Sequence, residues 1–373
     1  MTHGPLPHDL LPDGVRSGFV PDVNGLTMHV LEAGEPGAPC VLLLHGFPEL
    51  AYSWRKVMPA LAHAGYHVVA PDQRGFGRTT GWSADYDGDL MPFRLSNLVI
   101  DALSLLHALG CARVQGVVGH DFGSPVAALC ALIRPDVFRS VAMMSSPFTG
   151  APELDAQPTM QRLDDALGRL DPPRQHYQWF YSTRRANPDM HGAPQGVHAF
   201  LRAYFHMKSA DWPGNHPRPL PDGSAQSYAV MPPYYIMERG KGMAETVAPH
   251  MPSAEAIAAC RWMTPRELTV YATEYERTGF QGALQWYRCR SEFWPNADLR
   301  LFAGRTIDVP ATFITGKADW GTYQFPGALE RMERQACTHW RGTHLIDAAG
   351  HWAQQEQPEQ VSALLLDFLR AAA

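Results

Sequence analysis

The feature that most constrains this chain is an alternation of short apolar runs with amphipathic segments, which stops near Ser146 and resumes at Val309. Val41-Leu42-Leu43-Leu44 ends at His45-Gly46, and His67-Val68-Val69-Ala70 ends at Pro71-Asp72. Residues 114–118 and 141–144 repeat the pattern. Apolar runs of this kind are typical of parallel strands buried on both faces. Between them, Leu98, Val99, Ala102, Leu105, Leu106 and Leu109 recur at helical spacing, with Ser96 placed to cap the start and Gly110 to stop the helix. A second helix is predicted over 124–134, with Pro125 in its tolerated first turn. Asn24-Gly25, flanked by Phe19-Val20 and residues 27–31, predicts a type I′ hairpin ahead of the first parallel strand. After the gap come a strand (309–315), a helix (327–334), a strand (343–346) and a helix (358–370).

The 373 residues exceed the roughly 250–300 at which a single core stops growing, so a second unit is expected. The intervening stretch is rich in Pro, Trp, Tyr and Met and reads as helical with long loops, 212–221 being one. The expected architecture is therefore α/β: a mostly parallel twisted sheet flanked by helices, built from residues 1–146 and 299–373, with a largely helical cap, 147–298, inserted.

Gly119-x-Asp121-x-Gly123 falls between a strand and a helix, the context of a nucleophile elbow, in which small neighbours permit a strained turn that projects the central side chain. An Asp in that place serves in other proteins simply to cap the helix. Here Asp319 follows the next-to-last strand and His351 follows the last, giving the order nucleophile, acid, histidine found in α/β-hydrolases. There is no Gly-x-Ser-x-Gly. A free carboxylate, with a pKa of about 3.9, is ionised at neutral pH and attacks without a base. It suits displacement at a saturated carbon and leaves an alkyl ester on the enzyme. His351, oriented by Asp319, is then needed to activate the water that cleaves the ester. Cleavage passes through an oxyanion, for which the backbone N–H groups of Phe47 and Phe122 are the candidate donors.

Taken together, His45-Gly46-Phe47-Pro48-Glu49, Ser53-Trp54-Arg55, Asp72-Gln73-Arg74-Gly75-Phe76-Gly77, Gly119-His120-Asp121-Phe122-Gly123, Asp319, Gly350-His351-Trp352 and the run from Gly279 to Arg288 resemble the epoxide hydrolases of the α/β-hydrolase fold over almost the whole chain. The resemblance implies two cap tyrosines that donate hydrogen bonds to the epoxide oxygen. Tyr287, in Gln285-Trp286-Tyr287-Arg288, matches one, and Tyr177, in His176-Tyr177-Gln178-Trp179-Phe180-Tyr181, matches the other, with Tyr181 one helical turn away as the alternative. Trp54, Trp179, Phe180, Tyr181 and Trp286 are the candidate walls of an aromatic substrate pocket, although packing is the ordinary role of cap aromatics. Many relatives carry Trp after the nucleophile, where this chain has Phe122.

The expected reaction is conversion of a small epoxide and water to a vicinal diol, with no cofactor and no metal. Two rivals stand beside it. A dehalogenase uses the same Asp-His-Asp logic; haloalkane dehalogenases commonly place Asn and Trp where this chain has Phe47 and Phe122, whereas fluoroacetate dehalogenases are separated from it chiefly by Tyr177 and Tyr287. A non-catalytic ligand-binding relative would carry a broken triad. The net charge of −6 and the lack of a basic block argue against nucleic acid as a partner. The longest apolar stretch, 126–133, is far short of the ~20 residues of a membrane span. The N-terminal residues lack a secretory pattern, and six scattered cysteines form no CxxC pair, so a reduced cytoplasmic protein without a zinc ribbon is expected. His63-x-x-x-His67 has ligand-like spacing, but Gly65 breaks the helix between them and no third ligand is evident, so the pair is read as structural; Gly75-x-Gly77 lacks the last glycine of a dinucleotide loop.

Overall fold

Asn24 and Gly25 adopt φ of 48° and 79°, the left-handed pair that a type I′ turn requires, and join β1 (Val15–Val23) to β2 (Leu26–Ala33). The computed structural model describes residues 4–157, 160–292 and 294–372; Met1, Thr2 and His3 of the N-terminal stretch lie outside them. The remaining strands of the main sheet are β3 (Cys40–Leu44), β4 (His67–Pro71), β5 (Val114–His120), β6 (Val141–Met144), β9 (Ile307–Gly316) and β10 (Cys337–Ile346). A separate two-stranded pair, β7 (Arg174–His176) and β8 (Ile236–Glu238), lies between β6 and β9 in the chain.

The main sheet runs β1-β2-β4-β3-β5-β6-β9-β10. The hairpin and its junction with β4 are antiparallel; every later neighbour is parallel. All residues of β3, β4 and β6 are buried, as their unbroken apolar runs require. Because β3 lies between β4 and β5, the chain crosses to one side after β3 and to the other after β4. The strand order reverses there, and the crevice at the carboxyl ends of the strands beside such a switch is where α/β sheets bind ligands.

The helix expected to start at Ser96 spans Leu95–Ala108, and Ser96 does not cap it. The hydroxyl of Ser96 donates instead to Asp298 (2.5 Å), while the amide of Leu95 is taken up by the Asn296 side chain (2.9 Å). A residue about 200 positions away thus supplies the acceptor that local reading assigned to Ser96. The helix expected over 327–334 is shorter, Ala328–Arg331, and closes through a wider turn over Met332–Ala336. Between β6 and β9 the described residues are mainly helical, the longest helices being Val197–Lys208, Pro265–Thr278 and Gln281–Glu292. Pro265–Thr278 begins with a complete capping box between Thr264 and Glu267. Among the described residues no helix is long and apolar enough to cross a membrane.

Candidate active site

Five carboxyl-end loops of the sheet meet at one point. β5 ends at His120, and Asp121 turns the chain with φ 51° before the helix Gly123–Ile133 begins. A positive φ on a non-glycine residue stores strain of about 1–3 kcal/mol, tolerated where the surroundings over-determine it. Here they do so by crowding. A Cβ on Gly119 would stand 2.1 Å from the carbonyl oxygen of Gly123, and one on Gly123 would stand 2.3 Å from that of Leu44. A Cβ on Gly46 would come within 2.4 Å of Asp121 Oδ1 and 2.7 Å of the Phe122 amide nitrogen. The glycines therefore let the loop after β3 lie directly against the elbow.

That closeness brings the amide of Phe47 to donate to Asp121 Oδ1 at 2.9 Å. The other carboxylate oxygen, Oδ2, lies 3.3 Å from His351 Nε2, in contact but without hydrogen-bond alignment. On the far side of the ring, His351 Nδ1 lies 3.0 Å from Asp319 Oδ1 and 2.7 Å from Ser145 Oγ. The Ser145 hydroxyl donates to Asp319 Oδ2 (2.5 Å), Thr315 Oγ1 donates to the same oxygen (3.2 Å), and the Gly321 amide donates to Oδ1 (2.7 Å). Ser145 itself has φ 66°, directly after β6. Nothing in Ser145-Ser146-Pro147 distinguishes it in sequence from an ordinary turn.

The charges are set by opposing effects. Burial is the largest influence on Asp121 and works to raise its pKa. The adjacent His351 ring, with the charges of Lys208 and His120, outweighs it and holds the carboxyl below its ordinary value. Asp319 is likewise lowered, burial being overcome by His351, Ser145 and the Gly321 amide. His120, next to the elbow, points away from Asp121's oxygens. Its Nδ1 donates to Glu49 (2.5 Å) and its Nε2 to the backbone carbonyl of His351 (2.6 Å). Burial disfavours a charged His120, but Glu49 outweighs burial and raises its pKa. Glu49 also accepts from the amide of Gly46 (3.1 Å) and from Gln354 (2.7 Å). One buried pair thus braces both the loop of Phe47 and the loop of His351.

Above the carboxylate lies an aromatic cluster centred on the Phe47 ring, whose centroid is 5.2 Å from Tyr181 and 5.5 Å from Tyr287. Tyr287 also packs edge-on against Phe122 (5.1 Å), Tyr181 (5.1 Å) and Tyr177 (6.1 Å). Tyr177 and Tyr181 share one face of the short helix Tyr177–Tyr181, four residues apart. The Tyr177 hydroxyl accepts from Gln178 (2.9 Å) and donates to Gln324 (3.3 Å). The Tyr181 hydroxyl is buried without a partner among the described residues.

The other aromatic candidates divide. Trp286 packs on Phe122 and Phe76 and donates its indole N–H to the Arg74 carbonyl (2.9 Å). Phe180 and Trp54 are buried. Trp179 points the opposite way from Tyr177 and Tyr181 and lines an outer cleft with Tyr86, Arg184 and Trp294, so it stands apart from the cluster. Residues that the sequence did not single out join it instead: Tyr204, Tyr275 and Phe280 all contact the Phe47 ring. Lys208 is buried over the rings of Tyr204, Tyr235 and Trp352, and its carbonyl accepts the amide of His351 (2.8 Å). A pattern of single residues spread over 150 positions carries no local signal for these contacts.

Comparison with known proteins agrees with this geometry. A model of the α/β-hydrolase-fold family matches residues 39–218. Epoxide hydrolase A of Mycobacterium tuberculosis is 36% identical, the match covering 93% of this chain and 95% of that protein. Epoxide hydrolase 2 of Siraitia grosvenorii is 30% identical over 93% of this chain and 96% of its own length. Among solved structures, an epoxide hydrolase from an endophytic Streptomyces superposes with a TM-score of 0.78 at 32% identity, covering 96% of both chains.

Proposed function

The chain belongs to the epoxide hydrolase family of the α/β-hydrolase fold, and from that premise we propose that it converts an epoxide to a vicinal diol through a covalent ester on Asp121. The observation that carries this reading is the unequal placing of the two oxygens of one buried carboxylate. Oδ1 is held by an amide donor, and Oδ2 lies beside a histidine that is backed by a second carboxylate.

In the first step Asp121 Oδ2 attacks an epoxide carbon. A C–O bond forms to the carboxylate while the C–O bond of the ring breaks. The released alkoxide takes a proton from a tyrosine, with Tyr287 and Tyr177 in the donor roles; an unassisted alkoxide is a poor leaving group, so general-acid help of about 10²–10⁴-fold is needed. In the second step His351 Nε2 removes a proton from water, which attacks the ester carbon. Oδ1 becomes the oxyanion, already paired with the Phe47 amide, and the Phe122 amide is assigned as its second donor. Asp319 and Ser145 stabilise the imidazolium. Collapse breaks the ester C–O bond, the leaving oxygen takes the proton held by His351, and the proton of the added hydroxyl returns to the tyrosinate, so that Asp121 is again a carboxylate and the net change is epoxide plus water to diol. Residues 147–298 serve in this reading as a cap that supplies the tyrosines and keeps bulk water from the ester.

The test is the intact mass of a His351→Gln variant incubated in turn with styrene oxide, 1-chlorobutane and fluoroacetate, followed by peptide mapping. A gain of one whole epoxide on Asp121 is expected. An alkyl or carboxymethyl gain on Asp121 would instead assign a dehalogenase. No adduct in the variant, together with no turnover of an epoxide panel by the unaltered protein, would leave a ligand-binding protein.

A further inference from the structure

A second cluster of reactive side chains lies at the amino-terminal ends of the strands, the end of the sheet opposite Asp121. Cys40 and His67 are the first residues of the parallel strands β3 and β4 and are direct cross-strand partners. Cys111 belongs to the turn that leads into β5, after the helix Leu95–Ala108. β5 then runs seven residues before Asp121, so the two sites are roughly 20 Å apart at about 3.3 Å per strand residue.

The three ligand atoms of Cys40, His67 and Cys111 lie within 4.8 Å of one another. His67 Nδ1 is 3.9 Å from Cys111 Sγ, and its Nε2 is 2.8 Å from Glu32 Oε2. The orientation of the ring is informative. A neutral imidazole that donates Nε2–H to Glu32 turns the lone pair of Nδ1 toward the two sulfurs. Histidines that bind metals are held in this manner, with the second nitrogen donating to a carboxylate that fixes the tautomer. A tetrahedral zinc with bonds of about 2.3 Å to sulfur and about 2.05 Å to nitrogen needs a sulfur-to-nitrogen separation of about 3.6 Å. The observed 3.9 Å is within reach of that value by small side-chain movement. Cys40 and His67 are buried, whereas Cys111 is half-buried and opens on a surface cleft of about 400 Å³ beside His107 and Gly110. The cleft gives an ion an entry path on the Cys111 side.

We propose that Cys40, His67 and Cys111 form a three-ligand site for a thiophilic d10 cation, with Zn²⁺ as the ion to test and a solvent molecule in the fourth position. Binding displaces the two thiol protons and places a divalent ion against two thiolates and a neutral imidazole, so the site carries no net charge apart from Glu32. It clips together the starts of β3 and β4 and the loop before β5, which predicts a stabilising role separate from catalysis.

The experiment uses the full chain, fully reduced and stripped with a chelator, then titrated with Co²⁺ and afterwards with Zn²⁺. The expected result is a thiolate-to-cobalt charge-transfer band that saturates at one equivalent and is bleached by Zn²⁺. Zinc should also raise the melting temperature, and Cys111→Ser should weaken metal binding at least 100-fold while retaining the far-ultraviolet circular dichroism and the epoxide turnover of the parent. Cys40→Ser provides a second variant, and His67→Gln should shift the cobalt bands rather than leave them unchanged. The proposal fails if the reduced, folded parent shows no such band and retains no zinc. It fails equally if the band survives unchanged in both cysteine variants, or if the reduced protein binds neither ion while mild oxidation links Cys40 to Cys111, which would make the pair a redox couple.

Discussion

Tyr177, Tyr181 and Tyr287 share one aromatic cluster, but their hydroxyls sit in different fields. Burial is the largest influence on all three and raises each above the ordinary value of 10.0. The charge of Asp121 adds to the rise for Tyr177 and Tyr287, whereas the carboxylate that reaches Tyr181 is that of Asp189. Tyr177 and Tyr287 are also the two that the proposed reaction assigns to the leaving oxygen. Tyr287→Phe and Tyr177→Phe should therefore each slow the single-turnover alkylation of Asp121 by about 10²–10⁴-fold, the usual range for a general acid, while Tyr181→Phe should stay within a few-fold of the parent. Equal losses in Tyr177→Phe and Tyr181→Phe would remove the distinction. The same groups set a pH dependence. Asp121 acts ionised and its carboxyl is held below the ordinary 3.8, so its acid limb lies below that pH. The tyrosines act protonated and are raised above 10.0, so their alkaline limb lies above that pH. Alkylation rates, read by stopped flow after brief pH jumps, should be level across the interval between these limits. An alkaline limb near neutrality would contradict a phenolic acid.

At the scale of the element, the loop after β6 contributes more to the candidate triad than its sequence suggests. The Ser145 hydroxyl spans Asp319 and His351 Nδ1, so it steadies the imidazolium without touching the nucleophile. Ser145→Ala should lower the rate of ester hydrolysis about 10-fold, in line with ~1.5 kcal/mol for a hydrogen bond to a charged group, and leave alkylation unchanged. Burst kinetics with mass detection of the ester separates the two steps, and an equal loss in both would show that Ser145 only supports the fold. This loop marks the boundary of what was legible in sequence. The hairpin at Asn24-Gly25, the parallel strands and the elbow at Asp121 were readable because each rests on local rules: a turn that demands positive φ, an apolar run buried on both faces, glycines that admit close backbone contact. Asp319 and His351 were readable because chain order carries them to adjacent strand ends. Ser145, the Glu49–His120 pair and the gathering of Cys40, His67 and Cys111 were not, since each depends on residues tens of positions apart meeting only after the sheet has formed. Ser96 failed as a cap, and Trp179 faced outward, for the same reason: a distant side chain, or the far side of a short helix, decided what local pattern left open.

At the scale of the whole molecule, the candidate triad and the candidate tyrosines are enclosed. Asp121 is 7% exposed and both His351 and Tyr287 are 2% exposed. What encloses them is the packing of the helices between β6 and β9 on the sheet, through a shared apolar cluster and several polar ties. The indole of Trp352 donates to the Phe205 carbonyl (2.8 Å), Ser53 and Tyr271 share a hydrogen bond (2.9 Å), and Arg277 donates to the Gly77 carbonyl (2.7 Å). Arg55 is the most connected of them. Its Nε and Nη2 donate to Glu267 at 3.1 and 2.7 Å, and its Nη1 donates to Gln355 (2.9 Å) and to the Tyr52 carbonyl (3.0 Å). Glu267 is at the same time the capping-box residue of helix Pro265–Thr278, so Arg55 fixes the start of that helix to the core. Breaking a fully buried pair by removing one partner costs about 3–5 kcal/mol. The Glu267 side chain is 18% exposed and keeps Lys56 at 3.3 Å and the Thr264 amide at 2.8 Å, which offsets part of the loss. Arg55→Met should therefore destabilise the protein by about 3 kcal/mol, at the lower end of that range, read as a fall in the urea midpoint. Arg55→Lys should recover less than half, because an ammonium restores the charge but cannot bridge Glu267, Gln355 and Tyr52 together. Proteolysis under native conditions should also cut residues 147–298 faster in Arg55→Met than in the parent. A midpoint shift worth less than about 0.5 kcal/mol, the level of an ordinary surface change, would mean that the apolar contacts alone seat the helices.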